Sequence, residues 1–300
     1  MKLGMSTYCL DGVIKRGEKT LSDVIHWAAA QGATCVELVP FAYSFLLKDG
    51  RLDEKKIESA KEAAASAGVT LCNYSVLANF CLPAGEAFEA EVARVKRHVD
   101  VAAALGIPTM RHDVSAFRRE RGQNSSADYE EQLPRITEAA LRVTEYAAGV
   151  GVRTLVENHG FFVNGCDRIE RMLHAVSHDN FGLLLDTGNI ICVDEDPAVA
   201  TKRLAGLAVN IHLKDFYVRK RDPGDTTEFD CAGNWFRSMG GRFLRGAILA
   251  QGDLDMWEIL TIIKHSGFDG PIALEFEGME EAVYATRVSL MNARRIWEEV

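Results

Sequence analysis

Four short apolar runs each end in a side chain able to hold a cation or move a proton. They are Thr154-Leu-Val-Glu157-Asn158, Leu183-Leu-Leu-Asp186-Thr187, Val209-Asn-Ile-His212-Leu213 and Ile272-Ala-Leu-Glu275-Phe276. An ionised carboxylate taken out of water costs several kcal/mol unless something compensates it. Three carboxylates and one histidine arriving from separate runs call for a shared compensator, and one divalent ion supplies it. Two Glu, one Asp and one His suit a hard or borderline metal, with Mn²⁺ the first choice and Mg²⁺, Co²⁺ or Zn²⁺ also compatible. No thiolate stands beside the four.

The elements that must position these residues follow from an alternation running the length of the chain. Short apolar, β-branched runs occur near 2–9, 35–40, 69–75, 107–112, 153–158, 181–186, 207–213 and 271–276. Stretches with helical spacing separate them, at 20–31, 53–67, 86–105, 128–149, 166–177, 196–205, 255–266 and 280–298. Gly32, Gly68, Gly106, Gly151 and Gly267 each follow a helical stretch, where a left-handed cap is wanted. Thr20 with Asp23, and Asp255 with Glu258, have capping-box spacing. The strands are apolar without strict alternation, as parallel strands covered on both faces should be. Eight strand–helix pairs and no linker predict an α/β chain folded as a single (β/α)8 TIM barrel over residues 1–300. The longest interruption, about 216–246, falls between strands seven and eight, too long for an idle connection.

Composition narrows the partners. The 300 residues carry a net charge of −9, which opposes binding to nucleic acid. No apolar run approaches the roughly 20 residues of a membrane span. Met1-Lys2-Leu3-Gly4-Met5 enters a strand-like run rather than a signal peptide's apolar core, so a cytoplasmic protein is expected. Seven cysteines, at 9, 35, 72, 81, 166, 192 and 231, form no CxxC pair and read as free thiols in a reducing compartment. No Rossmann fingerprint, P-loop, HExxH or nucleophile elbow appears, so no nucleotide cofactor is expected.

On such a barrel the ends of the strands surround one mouth. Glu37, Asn73 and His112 should reach the same rim as the four opening residues. Each residue taken alone has a plainer reading, as a helix cap, an ion-pair partner or a satisfied buried histidine. Glu277 shares side-chain parity with Glu275 and competes with it, although it also suits the acidic helix start beside Glu280 and Glu281. Glu275 is preferred because it ends the apolar run. His159 and Asn189 either touch substrate hydroxyls or serve local turns. Lys214 either binds an oxyanion or pairs with Glu157 or Asp186. The basic clusters Arg118-Arg-Glu-Arg121 and Arg219-Lys-Arg221 read as solvated loop charge, with an anionic substrate as the sharper alternative. Phe229, Trp235 and Phe236 either wall a sugar, pack the long loop itself or form a subunit contact.

The strings Val-Glu-Asn-His (156–159), Leu-Asp-Thr-Gly-Asn (185–189), His-Leu-Lys-Asp (212–215) and Phe-Asp-Gly-Pro-Ile-Ala-Leu-Glu (268–275), in this order, resemble the sugar phosphate isomerase/epimerase superfamily of xylose isomerase-like barrels. The resemblance covers about residues 3–297. It implies that Glu157, Asp186, His212 and Glu275 bind one catalytic metal, and that Glu157 and Glu275 act as acid and base across the substrate. It also implies a homodimer or homotetramer. A metal chelating a carbonyl and its neighbouring hydroxyl acidifies the C–H between them and stabilises an enediolate, from which one base gives isomerisation and two give epimerisation. The expectation is therefore a metal-dependent isomerase or epimerase of a sugar or polyol-derived ketose.

The same apparatus would serve a dehydratase of a keto-inositol or a dehydroshikimate-like acid, in which a β-hydroxyl leaves. AP endonucleases share the barrel but carry more histidines, one of them three residues after the strand-six Asp, where this chain has Asn189. The chain reads Ala250-Gln-Gly-Asp253 where many relatives have Gly-x-Gly-Asp.

Overall fold

Eight parallel strands pair side by side until the last meets the first. They are β1 (Lys2–Ser6), β2 (Cys35–Leu38), β3 (Thr70–Val76), β4 (Thr109–His112), β5 (Arg153–Glu157), β6 (Phe181–Asp186), β7 (Ala208–Leu213) and β12 (Pro271–Leu274). The closed order is β1-β12-β7-β6-β5-β4-β3-β2, as the expected (β/α)8 barrel requires. The computed structural model describes residues 1–117, 119, 121–227 and 233–300. Arg118 and Glu120 of the first basic cluster, together with Phe229 and Cys231, lie outside the described residues.

Helices cover the barrel: α2 (Leu21–Ala30), α3 (Glu54–Ala67), α4 (Glu86–Leu105), α5 (Ser126–Gly149), α6 (Cys166–Val176), α7 (Pro197–Leu204), α8 (Met256–His265) and α9 (Ala282–Glu299), with a short α1 at Asp11–Lys15. Their ends are chemically marked. Thr20 and Asp23 make the expected capping box on α2, while Gly68 and Gly106 close α3 and α4 at φ 70° and 71°. Glu281, expected inside the last helix, caps it instead, accepting from the amides of Val283 and Tyr284. The first strand ends earlier than the apolar run because Ser6 caps a short turn over Thr7–Leu10. Five of the six described cysteines are buried.

The interruption after β7 has structure of its own. β8 (Asp215–Arg219), β9 (Thr226–Thr227), β10 (Trp235–Arg237) and β11 (Phe243–Ala247) form a second sheet in the order β8-β11-β10-β9. Phe236 turns into it, against Phe216 at 5.9 Å between ring centres, while Arg245 lies over Trp235. These aromatics thus pack the insertion. Its base is closed by Asp215, whose Oδ1 accepts from the amides of Phe216 (2.8 Å) and Leu254 (3.3 Å). Its Oδ2 accepts from Ala250 and Gly252, both at 2.9 Å. Position 252 must be glycine here, since a Cβ would lie 2.3 Å from Asp215 Oδ1.

Inside the barrel a chain of polar side chains climbs toward the mouth. Asn210 Nδ2 donates to Thr109 Oγ1 (2.9 Å), Thr109 Oγ1 donates to Asn73 Oδ1 (2.8 Å), and Asn73 Nδ2 donates to Glu37 Oε2 (2.7 Å). All four are buried. Each hands a bond to a side chain on another strand, while Asn210 Oδ1 and Glu37 Oε1 are left buried without a hydrogen-bond partner. Among the described residues no helix is long and apolar enough to cross a membrane.

Asp215→Ala would strand four amides at the base of the insertion. The expected loss is about 3 kcal/mol of unfolding free energy, measured by chemical denaturation, since buried donors left unpaired cost about 1–3 kcal/mol each and partial rehydration offsets some of it.

Candidate active site and metal centre

Glu157 ends β5, Asp186 ends β6, His212 lies one residue before the end of β7, and Glu275 follows β12, its amide still donating to Leu213 O at 3.0 Å. One ligand atom from each lies within 4.8 Å of the other three. His212 Nδ1 sits 3.6 Å from Glu157 Oε1, 3.8 Å from Asp186 Oδ2 and 3.8 Å from Glu275 Oε1.

The surrounding bonds decide which atoms remain free. Glu37 Oε2, at the top of the interior polar chain, takes His212 Nε2 at 2.9 Å, so the other ring nitrogen faces the cluster. Asp186 Oδ1 accepts from the amides of Gly188 (2.8 Å) and Asn189 (2.7 Å), which turns Oδ2 inward. Asn158 braces the Asp186 backbone with two 2.8 Å bonds. His212 Nδ1 and Asp186 Oδ2 are left buried without a hydrogen-bond partner. Converging, unsatisfied nitrogen and oxygen donors are what a divalent ion fits.

Charge in the cluster is strongly coupled. Burial opposes charge on His212, but Glu37, Glu275 and Glu157 outweigh it and hold the imidazole well above its ordinary value. Burial, then the neighbouring Glu157 and Glu275, push the Asp186 carboxyl up to about 6 against the pull of Lys214. Burial also acts against Glu157, where Arg111, His212 and His159 prevail and keep its carboxyl well below the usual range.

Residues 25–297 match the family described as Xylose isomerase-like TIM barrel. The chain belongs to that family. A curated relative, the inosose dehydratase of Lacticaseibacillus casei, is 26% identical over 149 residues, which are 49% of this chain and 48% of that protein. The chain thus spans about half the length of the curated relatives it matches. Among solved structures, D-psicose 3-epimerase from Clostridium cellulolyticum H10, with D-tagatose, superposes at TM-score 0.73 and 14% identity over 99% of both chains. The probable 3-DHS dehydratase from Bacillus anthracis gives 0.72 at 18% identity, over 97% of this chain and 98% of that one. At these identities the structural matches speak for the fold.

Above the cluster this xylose isomerase-like barrel opens into a cavity of about 600 Å³, lined by Glu157, His159, His212, Lys214, Glu275 and Glu277 together with residues at the ends of β3 and β4 and in the segments that follow β1 to β4. Lys214 Nζ lies 2.5 Å from Glu275 Oε2, 3.6 Å from Asp186 Oδ2 and 3.6 Å from Glu277 Oε2, and it donates to Asn189 Oδ1 at 3.2 Å. The ion-pair reading of Lys214 therefore describes its contacts, although its main partner is Glu275. Asn189 also donates to Glu157 Oε1 at 3.1 Å, bracing the cluster from behind. Glu37 likewise stands behind His212 rather than at the cavity wall. Glu277 lines the cavity, but its oxygen meets Tyr8 Oη at 3.3 Å and lies outside the four-residue cluster. Arg219 pairs with Asp253 at 2.6 Å on the exposed insertion.

His112 does not reach the rim. It is buried between Phe80 and Phe181, its Nδ1 bonded to Asp113 O at 2.8 Å, and burial pushes it down to about 4. Its neighbours Arg111 and Asp113 face the cavity instead. Sequence reasoning passed over both. Parity was the available signal: Thr109 points into the barrel, so Arg111 and Asp113 share its direction and His112 cannot.

Because His212 is held protonated in the metal-free protein, an ion entering at Nδ1 must displace that proton. Titration of Mn²⁺ at neutral pH should release about one proton per ion, read calorimetrically in two buffers of unlike ionisation enthalpy. Affinity should rise with pH until the raised His212 value is passed; a flat profile would contradict this account of the site.

Proposed function

We propose that this chain is a divalent-metal-dependent enzyme that moves a proton at the carbon beside a carbonyl of a sugar or polyol-derived substrate, as an isomerase or epimerase. One observation carries the reading: two unpartnered buried donors, His212 Nδ1 and Asp186 Oδ2, converge with Glu157 and Glu275 at the floor of an open cavity. In this reading residues 1–300 work as one barrel unit. Glu157, Asp186, His212 and Glu275 hold the ion, with Mn²⁺ the first choice for this donor set.

When bound, the ion would polarise a carbonyl and stabilise the negative charge that builds on its oxygen. Glu275 borders the cavity and would itself accept the proton taken from substrate carbon, with the Lys214 ammonium, 2.5 Å from its Oε2, as a fixed positive charge beside it. Glu157 borders the same cavity and is the second acid/base group. Glu157→Gln and Glu275→Gln should each lower kcat by about 100-fold or more, with the proteins still folded. Retention of full turnover by both would sink the mechanism.

A second reading, a dehydratase, draws on one feature of the site. Arg111 Nη2 and Lys214 Nζ hold Glu157 Oε2 and Glu275 Oε2 alike at 2.5 Å, but Glu275 is the more accessible carboxylate, 12% exposed against 3%. A single base suffices to remove a proton and let a β-hydroxyl leave. The partial match to inosose dehydratase points the same way.

Incubation with ketoses, keto-inositols and keto-acids in D₂O, followed by NMR, separates the two. Deuterium beside a carbonyl in a product of unchanged mass apart from the label supports the isomerase or epimerase. Loss of water with a new enone absorbance supports the dehydratase.

A further inference from the structure

Beside the proposed metal shell lies a second convergence of donors that this reading does not use. Asp113, Glu157 and His159 bring ligand atoms within 4.8 Å of one another, the geometry of a second metal site. Its centre is filled by one atom of this chain. Arg111 Nη2 lies 2.8 Å from Asp113 Oδ1, 2.5 Å from Glu157 Oε2 and 2.9 Å from His159 Nδ1. The side chains of Arg111, Asp113 and Glu157 are 6%, 5% and 3% exposed, so water contributes little to balancing their charge. His159 is fixed from its other side by stacking on Phe117, with ring centres 4.8 Å apart and planes at 27°.

Two details make this more than an ordinary ion pair. His159 Nδ1 is also 3.1 Å from Asp113 Oδ1, so one nitrogen faces a guanidinium donor and a carboxylate acceptor at once. In either protonation state it serves only one of them, whereas a metal would accept the nitrogen and the carboxylate together. The guanidinium is also incompletely paired, with Nε buried and lacking a hydrogen-bond partner. Arg111 therefore sits among three metal-type ligands without satisfying its own donors.

We propose that Arg111 occupies the place of a second divalent ion and thereby keeps the centre mononuclear. By pinning Glu157 Oε2 it leaves Oε1 alone for the first ion; without the guanidinium, Glu157 would bridge two ions, with Asp113 and His159 completing the second site. The donors now stand 2.5–2.9 Å from Nη2 and would close by about half an ångström to reach metal-bond lengths of about 2.0–2.2 Å. The exchange replaces one positive charge by two beside the buried carboxylates of Asp113 and Glu157. Arg111 is in this sense a positioning residue, and the inference rests on reading Glu157, Asp186, His212 and Glu275 as the first metal shell.

The test is metal stoichiometry in full-length protein stripped with chelator, re-equilibrated with Mn²⁺ alone and measured by elemental mass spectrometry. Wild-type protein is expected to bind one ion per chain and Arg111→Ala two, with Arg111→Ala/His159→Ala returning to one. Low-temperature EPR should change from the six-line pattern of isolated Mn²⁺ to the multiline signal of an exchange-coupled pair, which a merely structural arginine would not produce. Arg111→Gln, neutral and close in size, serves if the alanine variant does not fold. Two ions in the wild type, or one ion in a folded Arg111→Ala or Arg111→Gln, overturns the inference. No ion in the wild type instead overturns the reading of the first shell.

Discussion

Everything at the mouth of this barrel follows from the difficulty of keeping carboxylates charged away from water. Glu37, Asp113, Glu157, Asp186, Glu275 and Glu277 crowd a space in which Arg111, Lys214, His159 and His212 answer them. A buried charge without a partner is strongly destabilising, so each acid is placed against a specific cation or amide. Arg111 serves the side of the mouth nearest β4 and β5, while Lys214 serves the side nearest β6 and β12. His212 stands between them, with Glu37 fixing its far nitrogen. His212 Nδ1 and Asp186 Oδ2, left without a hydrogen bond by these groups, face inward together.

The interior polar chain explains how such a site is held in register. Asn210, Thr109, Asn73 and Glu37 come from β7, β4, β3 and β2, so the hydrogen bonds between them tie together strands that are not all neighbours. The tilt of the His212 ring is then set by the barrel as a whole rather than by β7 alone. Packing of branched side chains would close the barrel equally well, but it would not fix which imidazole nitrogen faces the mouth.

Much of this was legible in the sequence because it depends on period and position. Apolar runs separated by helical spacing, five of the helical stretches closed by a glycine, locate all eight strands, and four of those runs end in the acids and histidine of the site. The convergence of Glu157, Asp186, His212 and Glu275 follows from barrel closure once those ends are known. Arg111 was harder. It sits inside Met110-Arg-His112-Asp113, where the histidine draws attention and only the pleat, counted from inward-facing Thr109, assigns the faces. The insertion was harder still, because β8 and β11 pair across more than twenty intervening residues, and a loop rich in Gly, Asp and Arg carries no local sign of that partner.

Asp215 gives the insertion a different meaning. Its carboxylate gathers the amides of Phe216, Ala250, Gly252 and Leu254, so both ends of the second sheet are clasped at one point directly above β7. Beyond that clasp the same sheet meets the barrel rim again, where Ser238 and Arg242 donate to Asp194 at 2.8 and 2.7 Å and the Gly233 amide donates to Glu277 O at 3.1 Å. The insertion is thus fastened to the rim at several points, and a change in its strands would be felt at Asp194, which ends the turn begun by Asn189, and at Glu277 as well as at Asp215.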